Sequence, residues 1–328
     1  MCAQQTTMKV YHLENDFLKM EVLNYGAIIK RLRLKINHKE DQDLVVGLKN
    51  PEDYINDAWF LGACLGPFAG RIQEDKILET PQATKASHGK APHILLHGGD
   101  QSYAKQFWVL ENICKGATPH ICLSHTQRVN NKEDSNDNNG EVAEIKTFVT
   151  YSLVNSELRI KYHSIATLTL PQVFNLSNHS YFILDSATNL SEYELCIRAN
   201  FYLETNAHLL PTGKLIPTPG STYDFRKATQ LAHKQLDTPF VLDKKYHGIE
   251  RVASAYLKKS DILLEVFTDQ EVIVCFTPKE FPGICFETQG FPDAPNHSNF
   301  KTISIDKNNP YTQETYYKFS MKTNPFNA

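Results

Sequence analysis

Apolar and polar positions alternate with a period of two along much of this chain. Ile145, Thr147, Val149, Tyr151 and Leu153 interleave with polar neighbours. After a turn at Asn155-Ser156 the alternation resumes at Leu158, Ile160 and Tyr162. That spacing places every second side chain on one face, so the two segments predict a hairpin with one face on a core and one in water. Residues 8–13, 18–23 and 28–36 read as three more strands, separated by turn signals at Glu14-Asn15-Asp16 and Asn24-Tyr25-Gly26. Strand-like runs return at residues 253–257, 262–268, 272–277, 302–305 and 316–321. Helical periodicity is scarce: a turn entered through Pro51 and a polar piece over residues 227–234 are its main signals. The tract 130–140, rich in Asn and Asp, predicts a mobile hairpin loop. No shift in composition marks a boundary. The expected architecture is all-β, a large antiparallel β-sandwich with few short helices, spanning residues 1–328 as one domain.

Composition narrows the partners. With 328 residues, burial of a sizeable core is assured, and a net charge of -3 with 22% charged residues leaves no basic footprint for nucleic acid or an anionic membrane. Seven cysteines, an odd number without any CxxC pair, point to reduced thiols in a cytoplasmic protein. No apolar run approaches membrane-spanning length, and the N-terminal residues lack the pattern of a signal peptide. A small, neutral, polar ligand is the expected partner, with no nucleic acid, no membrane, and a monomer or weak homodimer.

The stretch Phe174-Asn175-Leu176-Ser177-Asn178-His179-Ser180-Tyr181-Phe182 sets an imidazole inside an apolar, strand-forming run. Asn178, Ser180 and Tyr181 offer polar atoms that can fix its tautomer. Taken alone, such a histidine is more often a hydrogen-bonded core residue. Glu287 is a second signal: it stands in Gly283-Ile284-Cys285-Phe286-Glu287-Thr288-Gln289, where a carboxylate is costly to bury unless it meets a cleft or a partner. Arg71 follows the glycine-punctuated Leu61-Gly62-Ala63-Cys64-Leu65-Gly66-Pro67-Phe68-Ala69-Gly70, which delivers it from a loop. His97 ends the strand-like Ile94-Leu95-Leu96 ahead of Gly98-Gly99. A carboxylate near its usual pKa of about 4.3 and an imidazole near about 6.5 suit a reaction that removes one proton and supplies another at neutral pH.

These motifs, in order, resemble the aldose 1-epimerase (galactose mutarotase) family across nearly the whole chain. The matching segments are residues 61–72, Leu96-His97-Gly98-Gly99 with Trp108 downstream, and Asn175-Leu176-Ser177-Asn178-His179-Ser180-Tyr181-Phe182. Leu210-Pro211-Thr212-Gly213 through Asp224-Phe225-Arg226, and Cys285-Phe286-Glu287-Thr288-Gln289 with Phe291-Pro292-Asp293-Ala294, complete the set. The resemblance implies a galactose mutarotase-like supersandwich that interconverts the α and β anomers of a free aldose such as galactose or glucose. It implies Glu287 as general base and His179 as general acid, and His97, Arg71 and Asp237 as binders of sugar hydroxyls and ring oxygen, with no cofactor and no metal. Departures from the family pattern bear on the choice of sugar: Gly70 stands where an asparagine is frequent, Thr238 follows the aspartate in place of histidine, and the segment before Gly283 is short. The rival expectations are a non-catalytic carbohydrate-binding protein on the same fold, a metal held by His97, His179 and Glu287, and epimerisation of a disaccharide or a hexose phosphate.

Overall fold

Period-two alternation becomes sheet over most of the chain in a computed structural model that describes residues 7–36, 40–74, 93–130, 142–185 and 189–322. A nine-stranded sheet forms one layer. Its order is Thr229–Gln230, Glu194–Ile197, Glu250–Leu257, Ile262–Thr268, Tyr311–Met321, Glu157–Ala166, Val142–Val154, His120–Asn130 and Val109–Cys114. Every pairing in it is antiparallel, and the expected hairpin is there, with Leu153 opposite Leu158 and Tyr151 opposite Ile160. Asn155 makes the turn with φ 52°, a left-handed angle that asparagine tolerates better than most residues. The inward positions Tyr151, Ile160, Tyr162, Val266, Tyr317 and Phe319 are buried in the main core, while the outward face carries ion pairs such as Lys161–Glu314 at 2.6 Å.

The opposing layer is a six-stranded sheet in the order Tyr181–Phe182, Ile284–Gln289, Val272–Phe276, Asp237–Leu242, Ala199–Thr205 and Pro211–Pro217. A four-stranded sheet, Val10–Glu14, Leu18–Leu23, Ile29–Leu34 and Gln42–Asp43, extends it at the Tyr181–Phe182 edge. Val46 N–H donates to the Tyr181 carbonyl at 2.9 Å and Ile183 N–H donates to Leu44 at 3.0 Å, which joins the two sheets. The helical elements named among the described residues are 3-10 turns of three to six residues, including Pro51–Asn56 at the expected proline. The polar piece at 227–234 is not a helix: Thr229–Gln230 pairs with the strand Glu194–Ile197, and Leu231 N–H donates to Tyr193, so its backbone serves a sheet edge instead. The loop expected over 130–140 lies outside the described residues, apart from Asn130 at a strand end.

Hydrogen bonds from buried tyrosines cross between the layers. Tyr162 Oη donates to the Ser177 carbonyl at 2.9 Å, Tyr317 Oη to Phe286 at 2.8 Å and Tyr151 Oη to Ala27 at 2.6 Å. Burial drives all three phenols well above their ordinary pKa, so they remain donors. Removing one donor leaves a buried carbonyl without a partner, at about 1–3 kcal/mol. Tyr317→Phe is therefore expected to lower unfolding stability by about that amount, read as a shift of the urea midpoint at unchanged slope.

Candidate active site

Glu287 stands on a strand that is buried along its whole length, so it has no solvent face to turn to. Alternation sends Ile284 and Phe286 into the main core and turns Cys285 and Glu287 to the opposite face. On that face the register sets Val274 across from Glu287, Phe276 across from Cys285, and Asp237 and Pro239 one strand further on. All of these except Cys285 line a hollow of about 790 Å³, together with Arg71, His97, His179 and the rim residues Trp59, Phe60, Thr205 and Leu209. The five residues singled out in the sequence, Arg71, His97, His179, Asp237 and Glu287, thus converge on one hollow.

His179 and Glu287 meet directly, with Nε2 3.5 Å from Oε1 and both side chains almost wholly buried. The segment bearing His179 is pinned by its backbone: His179 N–H donates to the Ala63 carbonyl at 2.9 Å, and Gly62 N–H donates to the His179 carbonyl at 3.0 Å. Gly62 has φ +70°, and a Cβ there would lie 2.2 Å from the Ile29 carbonyl oxygen, so only glycine fits. The polar neighbours expected to orient the imidazole do other work. Asn178 donates to the Gly62 carbonyl, the Ser180 hydroxyl donates to Asn178, and Tyr181 Oη donates to the Trp59 carbonyl. Cys285 takes the orienting place, with Sγ 3.4 Å from His179 Nδ1. Burial holds that thiol protonated, so Nδ1 is engaged by a neutral partner while Nε2 faces Glu287.

His97 is fixed with equal economy. Gly70 N–H donates to His97 Nδ1 at 3.1 Å, and His97 N–H donates to the Gly70 carbonyl at 3.0 Å. The neutral ring therefore carries its proton on Nε2 and offers the hollow a donor. Gly70 has φ +81°, and a Cβ there would press at 3.3 Å on both Gln289 and Pro292, so the glycine found in place of the family's asparagine sits in a backbone conformation that suits it. Arg71 opens the short strand Arg71–Gln73 rather than riding on a loop, and its Nη1 lies 3.4 Å from Asp237 Oδ2.

Desolvation dominates the electrostatics, against the expectation that both groups stay near their ordinary values. Burial, helped by the Asp237 carboxylate and opposed by Arg71, pushes Glu287 up to about 8. Burial pushes His179 down to about 4, and burial with the nearby His179 and Arg71 holds His97 far below its usual value. The causes are visible: the rings of Tyr181, Phe60 and Phe276 lie 4.9, 6.2 and 6.2 Å from that of His179. Between those two limits the His179–Glu287 pair holds one dissociable proton.

His97, His179 and Glu287 each place a ligating atom within 4.8 Å of the others, which is also what a two-histidine, one-carboxylate metal site needs. The second ring nitrogens argue against it. A metal-ligating histidine ordinarily donates its other N–H to an acceptor, whereas Nδ1 of His97 receives the Gly70 N–H. A hexose phosphate fits no better. Arg71 is the one cation among the residues lining the hollow and already faces Asp237, and Arg226 is engaged by Asp224 at 2.9 Å through two nitrogens.

Trp59, Phe60, Cys285 and Leu209 were not singled out in the sequence. Cys285 was legible in principle, since it precedes Glu287 by two positions in a strand and shares its face. Ala58-Trp59-Phe60 carries one of only two tryptophans and stands directly before the glycine-punctuated stretch. Nothing local marks Leu209.

The geometry defines the class first: a two-layer antiparallel sandwich with a buried carboxyl–imidazole pair at the floor of one hollow. The chain belongs to the aldose 1-epimerase family, whose model matches residues 9–318, and it is an isomerase of that family. It is 30% identical to a galactose mutarotase from Homo sapiens, over 96% of this chain and 95% of that one. To an aldose 1-epimerase from Streptococcus thermophilus it is 25% identical, over 95% and 94%. An aldose epimerase homologue from C. elegans has the same fold, with a TM-score of 0.79, 24% identity, and coverage of 96% and 99%.

Exhaustive chelation followed by elemental analysis is expected to leave no stoichiometric transition metal in the protein and its epimerase rate unchanged. A rate lost to chelation and restored by one added ion would assign the three-residue cluster to a metal instead.

Proposed function

We propose that this protein interconverts the α and β anomers of free galactose or glucose by acid–base ring opening and closure. Glu287 takes the proton from the anomeric hydroxyl and His179 supplies one to the ring oxygen. Rotation about C1–C2 and closure on the other face of the carbonyl complete the exchange, with no covalent intermediate on the protein. The observation that carries this reading is the 3.5 Å approach of His179 Nε2 to Glu287 Oε1 at the floor of the hollow. The two oxygens involved are substituents of one carbon, so an acid and a base that serve both must converge to that degree. Arg71 and the Nε2–H of His97 are donors for the ring oxygen and hydroxyls, and Asp237 is the acceptor.

Desolvation keeps the pair's one proton on the Glu287 carboxyl at rest, so the working form is the minor one in which that proton has passed to His179. In that form Glu287 is a stronger base than an exposed carboxylate, and the His179 imidazolium is a stronger acid than usual. The six described cysteines are all free, which supports a reducing, cytoplasmic setting. Among the described residues no helix is long and apolar enough to cross a membrane.

Polarimetry of freshly dissolved α-galactose and α-glucose is expected to show an accelerated approach to equilibrium. Glu287→Gln and His179→Ala should each slow it by roughly a hundred- to ten-thousand-fold; full rates in both variants would remove these residues from the mechanism. The pH profile gives an independent check. The working form carries one proton on the pair, so kcat/KM should fall below about pH 4, where both groups are protonated and no base remains. It should fall again above about pH 8, where neither is protonated and no acid remains.

A further inference from the structure

Asp293 is a second carboxylate buried as deeply as Glu287, at 2% against 3% exposed, and it does not line the hollow. A charge in such a place is costly unless its oxygens are engaged. They are, and by backbone that leads to the site. Gln73 N–H donates to Asp293 Oδ1 at 2.9 Å, and Asn296 Nδ2 donates to the Gln73 carbonyl at 3.1 Å. Asn296 Nδ2 also meets Asp293 Oδ1, which ties the two side chains to each other. We propose that Asp293 and Asn296 are positioning residues of the epimerase reaction: by clamping Gln73 they set where Arg71, two residues earlier, meets the sugar over Glu287. The proposal rests on the reading of Arg71 as a sugar-binding donor.

Strand geometry explains the need for a clamp. Arg71–Gln73 pairs on one side with Ile94–Leu96, and the bonds there run from His97 N–H to the Gly70 carbonyl and from Glu74 N–H to the His93 carbonyl. In an antiparallel ladder the N–H and C=O of one residue point to one side and those of its neighbour to the other, so Gln73 turns both groups away from that partner. Its sheet has two strands, and Gln73 faces the open edge. Asp293 and Asn296 supply an acceptor and a donor at that edge, which is what a neighbouring strand would offer.

Arg71 depends on this edge. Ahead of it the chain is already fixed: Ala69 N–H donates to the Asn175 carbonyl at 2.7 Å, and Gly70 and His97 exchange two bonds. The far end of its side chain is held loosely, with Nη1 3.4 Å from Asp237 Oδ2, so the backbone over residues 71–73 decides where the guanidinium sits. His97 has supports of its own, the two bonds to Gly70 and an edge-to-face contact with Phe60 at 5.0 Å.

The clamp is anchored to the strand that carries Glu287. Asp293 lies four positions beyond Gln289, the end of that strand, and Gly290 between them donates its N–H to Asn175 Oδ1 at 2.9 Å. Asn175 thus holds both the turn after Glu287 and the chain before Arg71. Asp293 Oδ2 lies 3.3 Å from His297 Nε2, and the His297 ring packs at 4.9 Å on Phe300, which belongs to a small core with Leu203 and Ala294. The Phe291-Pro292-Asp293-Ala294 motif is therefore a bridge from the strand of Glu287 to the strand of Arg71.

Anomer exchange of galactose, measured by NMR on single and double variants, tests the proposal. Arg71→Ala and Asp293→Ala should each lower kcat/KM by roughly ten- to a hundredfold, the scale set by misplacing a binding group by about 1 Å, and the loss should divide between kcat and KM alike in the two. In the Arg71→Ala background, Asp293→Ala should cost no more than about twofold, since the group it positions is gone. Asp293→Asn keeps an oxygen for the Gln73 N–H and should retain most of the rate. Asn296→Ala, at a half-buried position, carries the test where Asp293→Ala fails to fold: a several-fold loss that likewise vanishes without Arg71. Losses that multiply in the double variants, an Asp293→Asn as poor as Asp293→Ala, or a full rate in Asp293→Ala overturn the proposal and leave the epimerase reading standing. A full rate in Arg71→Ala removes Arg71 from the sugar site and the proposal with it, and acceleration of no sugar by the unaltered protein overturns the epimerase reading itself.

Discussion

The phenol of Tyr317, donating across the core to the Phe286 carbonyl, anchors the backbone one residue before Glu287. The strand holding Glu287 is tied again one residue later. Gln313 Nε2 donates to the Thr288 carbonyl at 2.8 Å, the Ser177 hydroxyl donates to the same oxygen at 3.1 Å, and Thr288 Oγ1 meets Thr315 Oγ1 at 2.6 Å. Ser177 is itself held by Tyr162 and lies two residues before His179. His179 and Glu287 therefore share one set of buried hydrogen bonds to the nine-stranded sheet. Their 3.5 Å separation is a property of how the two layers are bolted together, completed by the backbone bonds of His179 to Gly62 and Ala63. Buried polar networks of this kind are rigid only when every member is satisfied. These meet that condition with carbonyls that a sandwich core would otherwise leave without partners.

That rigid, dry floor creates the electrostatic problem from which the chemistry follows. Water is replaced by Tyr181, Phe60 and Phe276 around the imidazole, so neither charged form is favoured in isolation. Burial pushes the carboxyl and the imidazole in opposite directions, yet the total stays at one proton across neutral pH. A sugar hemiacetal needs one proton removed and one delivered, and a pair that carries a single proton can do both without exchange with bulk solvent. The Cys285 thiol matters here because it sits against Nδ1 of His179 on the side away from the carboxylate.

Much of this was legible before any coordinates. Alternation located the hairpin at Val142–Val154 and Glu157–Ala166 because one face of it is wet, and period two is then unambiguous. It failed at 227–234, where polar residues with helical spacing sit on a sheet edge and pairing with Glu194 and Leu195 overrides local preference. His179 and Glu287 stood out because an ionisable group in an apolar strand is expensive and needs a reason. Asp237 did not stand out by its own residue type and depended on the family resemblance. The tautomer of His97 and the ring setting of His179 were illegible, because they rest on contacts between Gly70 and His97 and between Cys285 and His179, made by parts of the chain far apart in sequence. Strand order was out of reach for the same reason.

Floor and rim are built on different physical terms. Glu287, Val274, Phe276, Asp237 and Pro239 lie on regular antiparallel strands, whereas three rim residues, Phe60, His97 and Leu209, have φ of 56°, 51° and 60°. Bulky side chains are strained at such angles, by an order of 1–3 kcal/mol each, and persist only where neighbours over-determine the backbone. Here they do. Ala63 N–H closes a turn on the Phe60 carbonyl, Gly70 and His97 exchange two bonds, and Asn206 caps the 206–210 loop through its side chain to His208 and Leu210 N–H. At the hollow, strain is thus carried by the rim, while Glu287 stays on a regular strand and His179 sits between two short ones. A rim of that kind can be remade for a different sugar without disturbing the 3.5 Å contact beneath it.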